Sequence, residues 1–418
     1  MSSLGLREHL THRGNLRSSR YGWLRLTPMY SVHLVDELLA ESVGESGRVL
    51  DPFCGTGTTA LVCAERGIPC ETTDINPFLL WLTRAKAHPY SAAEIAAART
   101  AAVVVADAAR DSGRGREWVP PLSNIEKWWE PPVLDALSRA WSEVSRAAVG
   151  VPAPSHWLLT IAFLRAAIRT AHVSFGHQSM SFRQNGHGAT QRSLALANRS
   201  AAVVVGEWDE AIGSITEAAA SSIGAEPKVI SCDARRLTES LEGQAYPTVI
   251  TSPPYCNRMS YIRELRPYMY WMGYLTDARA AGDLDWQAIG GTWGSATSNV
   301  ARWEPDLALP IPYAGFDELV AAVAQSAGRH SDLLARYIAK YFHDTVLHAR
   351  ELFEVVKPGG AVHYIVGNSK FYDVMVPTEE LYGAIFKDVG FEDIQIKTLR
   401  KRTSKKELYE YLVSAQRP

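Results

Sequence analysis

Apolar runs, glycine turns and helical stretches follow one another along this chain in a recurring order. "RVLDPFCGTGTTALVCAERG" (48–67) passes from an apolar strand through a Gly/Thr turn into a helix. "PCETTDINP" (69–77) is a second short strand that ends in an acid. "KVISCDARRL" (228–237) and "PTVITSPPY" (247–255) predict two more strands, each ending at polar residues. "GGAVHYIVGNS" (359–369) predicts a fifth. "EDIQIKTL" and "LYEYLVSAQ" alternate by twos and predict a closing hairpin. Helices between the early strands argue for a mostly parallel α/β sheet.

The pattern breaks twice. Between 90 and 227 the periodicity is helical, as in "PPVLDALSRAWSEVSRAA" and "SHWLLTIAFLRAAIRTAH", with no clear strand. This stretch reads as a helical insertion. The second break, 276–315, is rich in Gly, Trp, Ser and Pro and reads as a long irregular loop with a functional purpose. The main domain is then built from 1–89 and 228–418.

At 418 residues the chain is long enough for a large core. Its net charge of −2 announces no global basic field. Local clusters do exist. Arg7, Arg13, Arg17, Arg20 and Arg25 crowd the N-terminus, and "KTLRKRTSKK" (397–406) is basic as well. Such clusters suit phosphates. Five cysteines form neither a C-x-x-C pair nor a zinc spacing, and His172, His177 and His187 lack ligand spacing, so no metal is expected. The unpatterned cysteines favour a reducing compartment. The N-terminus lacks a signal-peptide core, and no run has membrane-spanning length. The reading is a cytoplasmic protein with no membrane partner.

Two strand ends carry the chemistry. In Asp51-Pro52-Phe53-Cys54-Gly55-Thr56-Gly57, glycines between strand and helix let a ligand approach the backbone. Asp74, at the end of the next strand, can accept both hydroxyls of a ribose. The missing third glycine and the missing P-loop lysine disfavour NAD and ATP. At the other strand end stands Ser252-Pro253-Pro254-Tyr255. Two prolines make a stiff, extended exit from a sheet.

D-P-F-C-G-T-G-T-T together with T-S-P-P-Y resembles the S-adenosylmethionine-dependent amino-methyltransferases of DNA. The likeness extends to "LTPMYSVHLVDELL" (26–39), "SCDARRL" and "VVKPGGAVHYIVGNS", about two thirds of the chain, and leaves out 90–227 and 276–315. It implies a class I methyltransferase-like doubly wound sheet, mostly parallel, with a C-terminal antiparallel hairpin and a helical insertion. It implies S-adenosylmethionine as cofactor. Asp51, Phe53, Gly55 and Gly57 would frame its methionine end, Asp74 its ribose and Asp233 its adenine amine. Thr27 and Tyr30 are further candidates beside the methionine carboxylate.

The resemblance also implies a double-stranded DNA substrate with a flipped-out base, and a companion restriction endonuclease as a family option. Ser252 and the Pro253 carbonyl would accept hydrogens from a base amine, and Tyr255 would stack on the base. Ser rather than Asp at the first motif position leans toward cytosine N4 over adenine N6. Cys256 invites a cytosine-C5 reading, but Tyr255 separates it from the prolines, so it reads as a loop residue. Asn368 and Ser369 are candidates for the base edge. Arg183, in "SFGHQSMSFRQNGHG" (174–188) of the insertion, and Trp293, in "IGGTWGSATS" of the loop 276–315, are candidates for target reading. An RNA guanine-N2 methyltransferase stays open, because it shares the first motif.

Overall fold

The computed structural model describes residues 20–24, 26, 30–42, 47–174, 181–182, 201–241, 243, 245–402 and 407–418. Thr27 and Arg183 therefore lie outside the described residues, as do Arg7, Arg13, Arg17, Arg25 and most of 174–188.

Seven strands form one sheet: β1 (Val49–Asp51), β2 (Cys70–Asp74), β3 (Lys228–Ser231), β4 (Tyr246–Thr251), β5 (Val356–Gly367), β6 (Glu392–Lys401) and β7 (Tyr409–Gln416). Their spatial order is β6-β7-β5-β4-β1-β2-β3. β3, β2, β1, β4 and β5 run parallel, and β7 is antiparallel to both β5 and β6. This is the class I methyltransferase-like α/β fold, with the closing hairpin that the alternation by twos predicted. The inner strands β1 and β2 are buried on both faces, all of β1 and all of β2 except Asp74, because helices cover the sheet. Strand order reverses between β1 and β4, where ligands of open α/β sheets bind at the carboxyl ends.

Helix α1 (Val32–Ser42) precedes β1, and α2 (Thr58–Arg66) links β1 to β2. Next come α3 (Pro77–Ala87), capped by the Asn76 side chain, and four longer helices: α4 (Ala92–Arg110), α5 (Pro131–Ala147), α6 (Ala153–Thr170) and α7 (Ala201–Ala219). Ser91 and Glu94 close a reciprocal capping box at the start of α4. Among the described residues the insertion's regular structure is helical, apart from a two-residue pairing of Val173–Ser174 with Ser181–Phe182.

Its core does not close on itself. Trp129, Leu137, Phe163 and Trp208 pack in one cluster with Phe78 of α3 and with Leu265, Met269 and Trp271 of α8 (Tyr261–Trp271). The stretch 276–315 is less irregular than its composition suggests. It holds α9 (Ala278–Gln287) and α10 (Ser295–Arg302). Asp277 supplies an N-cap that the Gly and Trp content masked, accepting from the Ala280 amide at 2.7 Å. Then follow α11 (Phe316–Ala324), the long α12 (Ser331–Val355) and α13 (Thr378–Val389). A second core joins α12 and α13 to β4 and β5.

Arg20 is not part of a phosphate surface. It is fully buried, and its guanidinium donates to the carbonyls of Lys86 (2.8 Å), His88 (2.6 Å), Ala219 (2.7 Å) and Ser221 (2.8 Å). These are the ends of α3 and α7, so one side chain fastens the insertion's last helix to the helix that follows β2. Arg20→Ala would leave several buried carbonyls without donors. It should lower the unfolding free energy by about 3 kcal/mol or more in a denaturant titration. Arg20→Lys should recover only part, since an ammonium has fewer donors and no planar fork.

Candidate active site

The loops after β1 and β4 open on one cavity of about 330 Å³. That is within the range of small-molecule sites. Parallel pairing aligns Val49 with Thr248 and Leu50 with Val249, so both strands end at the same edge. Phe53, Gly55, Asp74 and Asp233 line the cavity, with Tyr30, Ser252, Pro253, Pro254 and Tyr255.

The first loop is built on Asp51. Its carboxylate is wholly buried and accepts from the Thr251 hydroxyl at 2.5 Å, the Phe53 amide at 3.1 Å and the Tyr30 hydroxyl at 3.3 Å. Burial still dominates and lifts its pKa to about 6. Asp51 thus braces the loop from behind and does not line the cavity. Gly57 does not line it either. With φ at 77° it starts α2 from a left-handed turn, and a Cβ there would meet the Thr83 hydroxyl at 2.5 Å. The glycine is required by the packing of α2 on α3.

Asp74 does face the cavity. One carboxylate oxygen accepts from the Gly55 amide at 3.0 Å and the other from Asn76 at 2.8 Å. Each oxygen keeps a lone pair for a further donor, as a ribose diol would require. Burial lifts this carboxyl to about 6 as well. Asp233 is handled differently. Burial disfavours its charge, but the Arg235 guanidinium outweighs that and holds the carboxyl below its usual range. Arg235 Nη2 reaches Asp233 at 2.7 Å and the Gln287 carbonyl at 2.7 Å, and its Nη1 reaches Asp344 at 3.0 Å.

At the second loop the hydrogen bonds are asymmetric. Ser252 donates its proton to the Ile365 carbonyl at 2.9 Å, so toward the cavity its oxygen can only accept. The Pro254 carbonyl is taken by the Tyr341 hydroxyl at 2.6 Å. Among the described residues no donor reaches the Pro253 carbonyl. Tyr255 is held on several sides. Its hydroxyl donates to Glu410 at 3.1 Å and its amide to the Tyr261 hydroxyl at 3.3 Å. A Cβ on Gly367 would strike its ring at 3.0 Å. The Arg402 guanidinium lies 5.2 Å from the ring centroid. Burial pushes the Tyr255 phenol far up, so it stays neutral. Burial also raises the Cys256 thiol, which is fully enclosed and no nucleophile.

Three expected substrate residues stand elsewhere. Asn368 does not line the cavity. Its side chain accepts from the Tyr409 amide at 2.8 Å and donates to the Glu407 carbonyl at 3.2 Å, which braces the start of β7. Ser369 is buried outside the cavity lining, where it pairs with Val376 in a short antiparallel ladder, and its hydroxyl has no hydrogen-bond partner among the described residues. Trp293 packs against the helical core under the Arg266 guanidinium, 5.8 Å from its ring, and is also outside the lining. The cavity instead takes in Tyr261, Gln287, Ile289, Arg400, Arg402 and Glu410. Motif reading missed these because they converge from α8, α9 and the hairpin. Only the basic run holding Arg400 and Arg402 gave a signal.

No protein-family model matches the chain. Among curated proteins it is similar to the Type II methyltransferase M.BsoBI of Geobacillus stearothermophilus, 25% identical over 190 residues. That stretch is 42% of this chain and 37% of M.BsoBI, so the chain spans little more than a third of that relative. The Type II methyltransferase M.AvaI of Nostoc sp. strain PCC 7120 is 19% identical over 422 residues, covering 92% of this chain and 82% of M.AvaI. Among solved structures, TrmN of Thermus thermophilus has a TM-score of 0.32 at 11% identity, covering 94% of this chain and 51% of its own. The rRNA methyltransferase aviRa of Streptomyces viridochromogenes scores 0.29 at 11% identity, covering 97% and 96%. Likeness at such scores says nothing further about this chain.

Asp51 and Asp74 bind protons more tightly in the folded chain than their ordinary value of 3.8 allows. The stability they contribute is therefore fully present below pH 3.8 and is lost as pH rises through about 6. Asp74→Asn should flatten that part of the stability curve. Denaturant titrations at intervals from pH 4 to 7 check this; an unchanged slope would show that Asp74 titrates normally.

Proposed function

We propose that this chain is an S-adenosylmethionine-dependent DNA methyltransferase that modifies the N4 amine of a flipped-out cytosine. One observation carries the reading. The loops after neighbouring strands β1 and β4 share a cavity, and there the second loop offers two acceptors side by side, Ser252 Oγ and the Pro253 carbonyl. The Type II methyltransferase relatives favour DNA as the substrate.

The residues present fit the cofactor. Asp74 would hold the ribose hydroxyls with its remaining lone pairs, and Asp233 would accept from the adenine amine while Arg235 fixes its orientation. Phe53 and Gly55 would border the methionine end, with Tyr30 behind. When bound, the cofactor supplies a methyl group made electrophilic by its sulfonium.

What the chain itself must do is prepare a poor nucleophile. The lone pair of a base amine is delocalised into the ring. Ser252 Oγ and the Pro253 carbonyl would each accept one amine hydrogen, drawing the lone pair out of the ring and aiming it. Tyr255 would stack on the base, worth about 1–3 kcal/mol. That offsets part of the few kcal/mol needed to extrude a base from a duplex. Positioning carries most of the rate. No strong base is called for, since the amine proton can leave to water after transfer. The base assignment rests on Ser252: a neutral hydroxyl and a carbonyl serve the cytosine amine without a carboxylate.

Nucleoside mass spectrometry of DNA from cells expressing the protein should reveal N4-methylcytosine. N6-methyladenine would overturn the base assignment and keep the mechanism, whereas methylated RNA beside unmodified DNA would overturn the substrate class. Ser252→Ala should reduce turnover at least tenfold while calorimetry finds cofactor affinity unchanged. Asp74→Ala should do the reverse and weaken cofactor binding first. Wild-type cofactor affinity should rise with pH through about 6, as Asp74 becomes a full acceptor, and then level off.

A further inference from the structure

Two arginines at the cavity are neutralised within the chain. Arg400 pairs with Glu410 at 2.7 Å, and Arg235 with Asp233 and Asp344. Arg266 lies over the rings of Trp128 and Trp293. Arg258, Arg263 and Arg402 differ: none has an acidic partner among the described residues.

Each of the three is placed by residues that line the cavity. Arg258 is exposed and sits between Asn257 and Met259, both lining residues, in the turn that follows the catalytic tetrapeptide. Its φ is +59°, a left-handed conformation that glycine or asparagine adopts with less strain. The Arg258 amide donates to the buried Tyr337 hydroxyl at 3.2 Å, which fixes the turn. Arg263 is exposed on the first turn of α8, directly after the lining residues Tyr261 and Ile262. Arg402 lines the cavity itself. Its Nη1 donates to the Asn368 carbonyl at 2.9 Å, which anchors the guanidinium beside Tyr255 and leaves Nε and Nη2 for a ligand.

We propose that Arg258, Arg263 and Arg402 form a rim that binds the phosphodiesters flanking the extruded nucleotide. This rests on the reading of the chain as a nucleic-acid methyltransferase. The chemistry points to phosphodiester rather than to the cofactor. Asp74 and Asp233 put carboxylates on the side of the cavity proposed for the cofactor. On the other side Arg402 lies beside Tyr255, Arg258 follows the tetrapeptide by three residues, Arg263 follows the lining residues Tyr261 and Ile262, and Glu410, the one acid there among the described residues, is paired with Arg400. A base drawn into the cavity leaves its two phosphates outside, each a singly charged group with acceptor oxygens. Guanidinium forks match that geometry, and phosphate contacts set register without reading sequence. The rim thus does the orienting that the buried Arg20 cannot do.

DNA and RNA share this chemistry, so the test uses both. Fluorescence anisotropy would follow binding of a duplex DNA of about 30 base pairs and of a structured RNA across a salt series. Arg258→Ala, Arg263→Ala and Arg402→Ala should each weaken duplex binding about three- to tenfold and take about 0.9 off the log–log salt slope. The Arg→Lys counterparts should keep the slope, which separates lost charge from a damaged fold. A wild-type protein that binds DNA with a steep salt slope that no alanine variant changes would overturn the rim alone. Binding to neither polymer would overturn the rim and the nucleic-acid reading together. Slopes that fall only with RNA would keep the rim and assign it to the other polymer.

Discussion

The bond from the Thr251 hydroxyl to the Asp51 carboxylate, 2.5 Å long and fully buried, holds the two halves of the site together. It crosses from the last residue of β4 to the last residue of β1. The loops that follow those two strand ends share one cavity wall. Asp51 is otherwise an expensive residue, a carboxyl without water whose pKa is lifted to about 6. Its donors offset that cost: a hydroxyl from the end of β4, an amide from its own loop and the Tyr30 hydroxyl that precedes α1. A buried polar group with every partner in place specifies geometry more sharply than an apolar contact can. Here it sets the position of the loop after β1 against the loop after β4.

Around that bond the structure distributes its polar groups unequally. In the second loop, in-chain partners take up the Ser252 proton and the Pro254 carbonyl, while among the described residues no donor reaches the Pro253 carbonyl. Tyr341, which takes the Pro254 carbonyl, also meets the Tyr382 hydroxyl at 3.1 Å, so α12 and α13 jointly stiffen the loop. Tyr255 is fixed by Glu410, Gly367 and Tyr261 from three other segments. A ring held this way has little side-chain entropy left to lose to any ligand in the cavity.

Arg235 performs a comparable task on the other side. It grips Asp233 next to the cavity, Asp344 in the middle of α12 and the carbonyl that ends α9. The segment 276–315, which the sequence presents as an irregular loop, is thereby tied to the cofactor side. Lys340 reinforces the joint, bonding Asp344 at 2.5 Å and lying 4.6 Å from the Trp286 ring centroid. The helical insertion is tied in as firmly, through Arg20 and through the aromatic cluster it shares with α8.

The strands, their order along the chain, the two motif loops and the closing hairpin are local features, written in periodicity, glycine placement and proline pairs. The sequence by itself determined those, since strand ends and turns depend on neighbours a few residues away. It also singled out Asp74, Ser252 and Tyr255 in the cavity wall, because their roles follow from position at a strand end. Only the tertiary structure decided what distant segments contribute. Asn368 looked free to hold a base edge until β7 came beside it and occupied both its polar atoms. Arg20 looked like a surface cation until α3 and α7 closed over it. Tyr261, Arg402 and Glu410 carried no motif, yet the hairpin and α8 fold them against Tyr255. The physical reason is the same in each case. A side chain's hydrogen-bond partners and its access to solvent are set by packing between elements far apart in sequence, and a pattern read along one chain contains only the near neighbours.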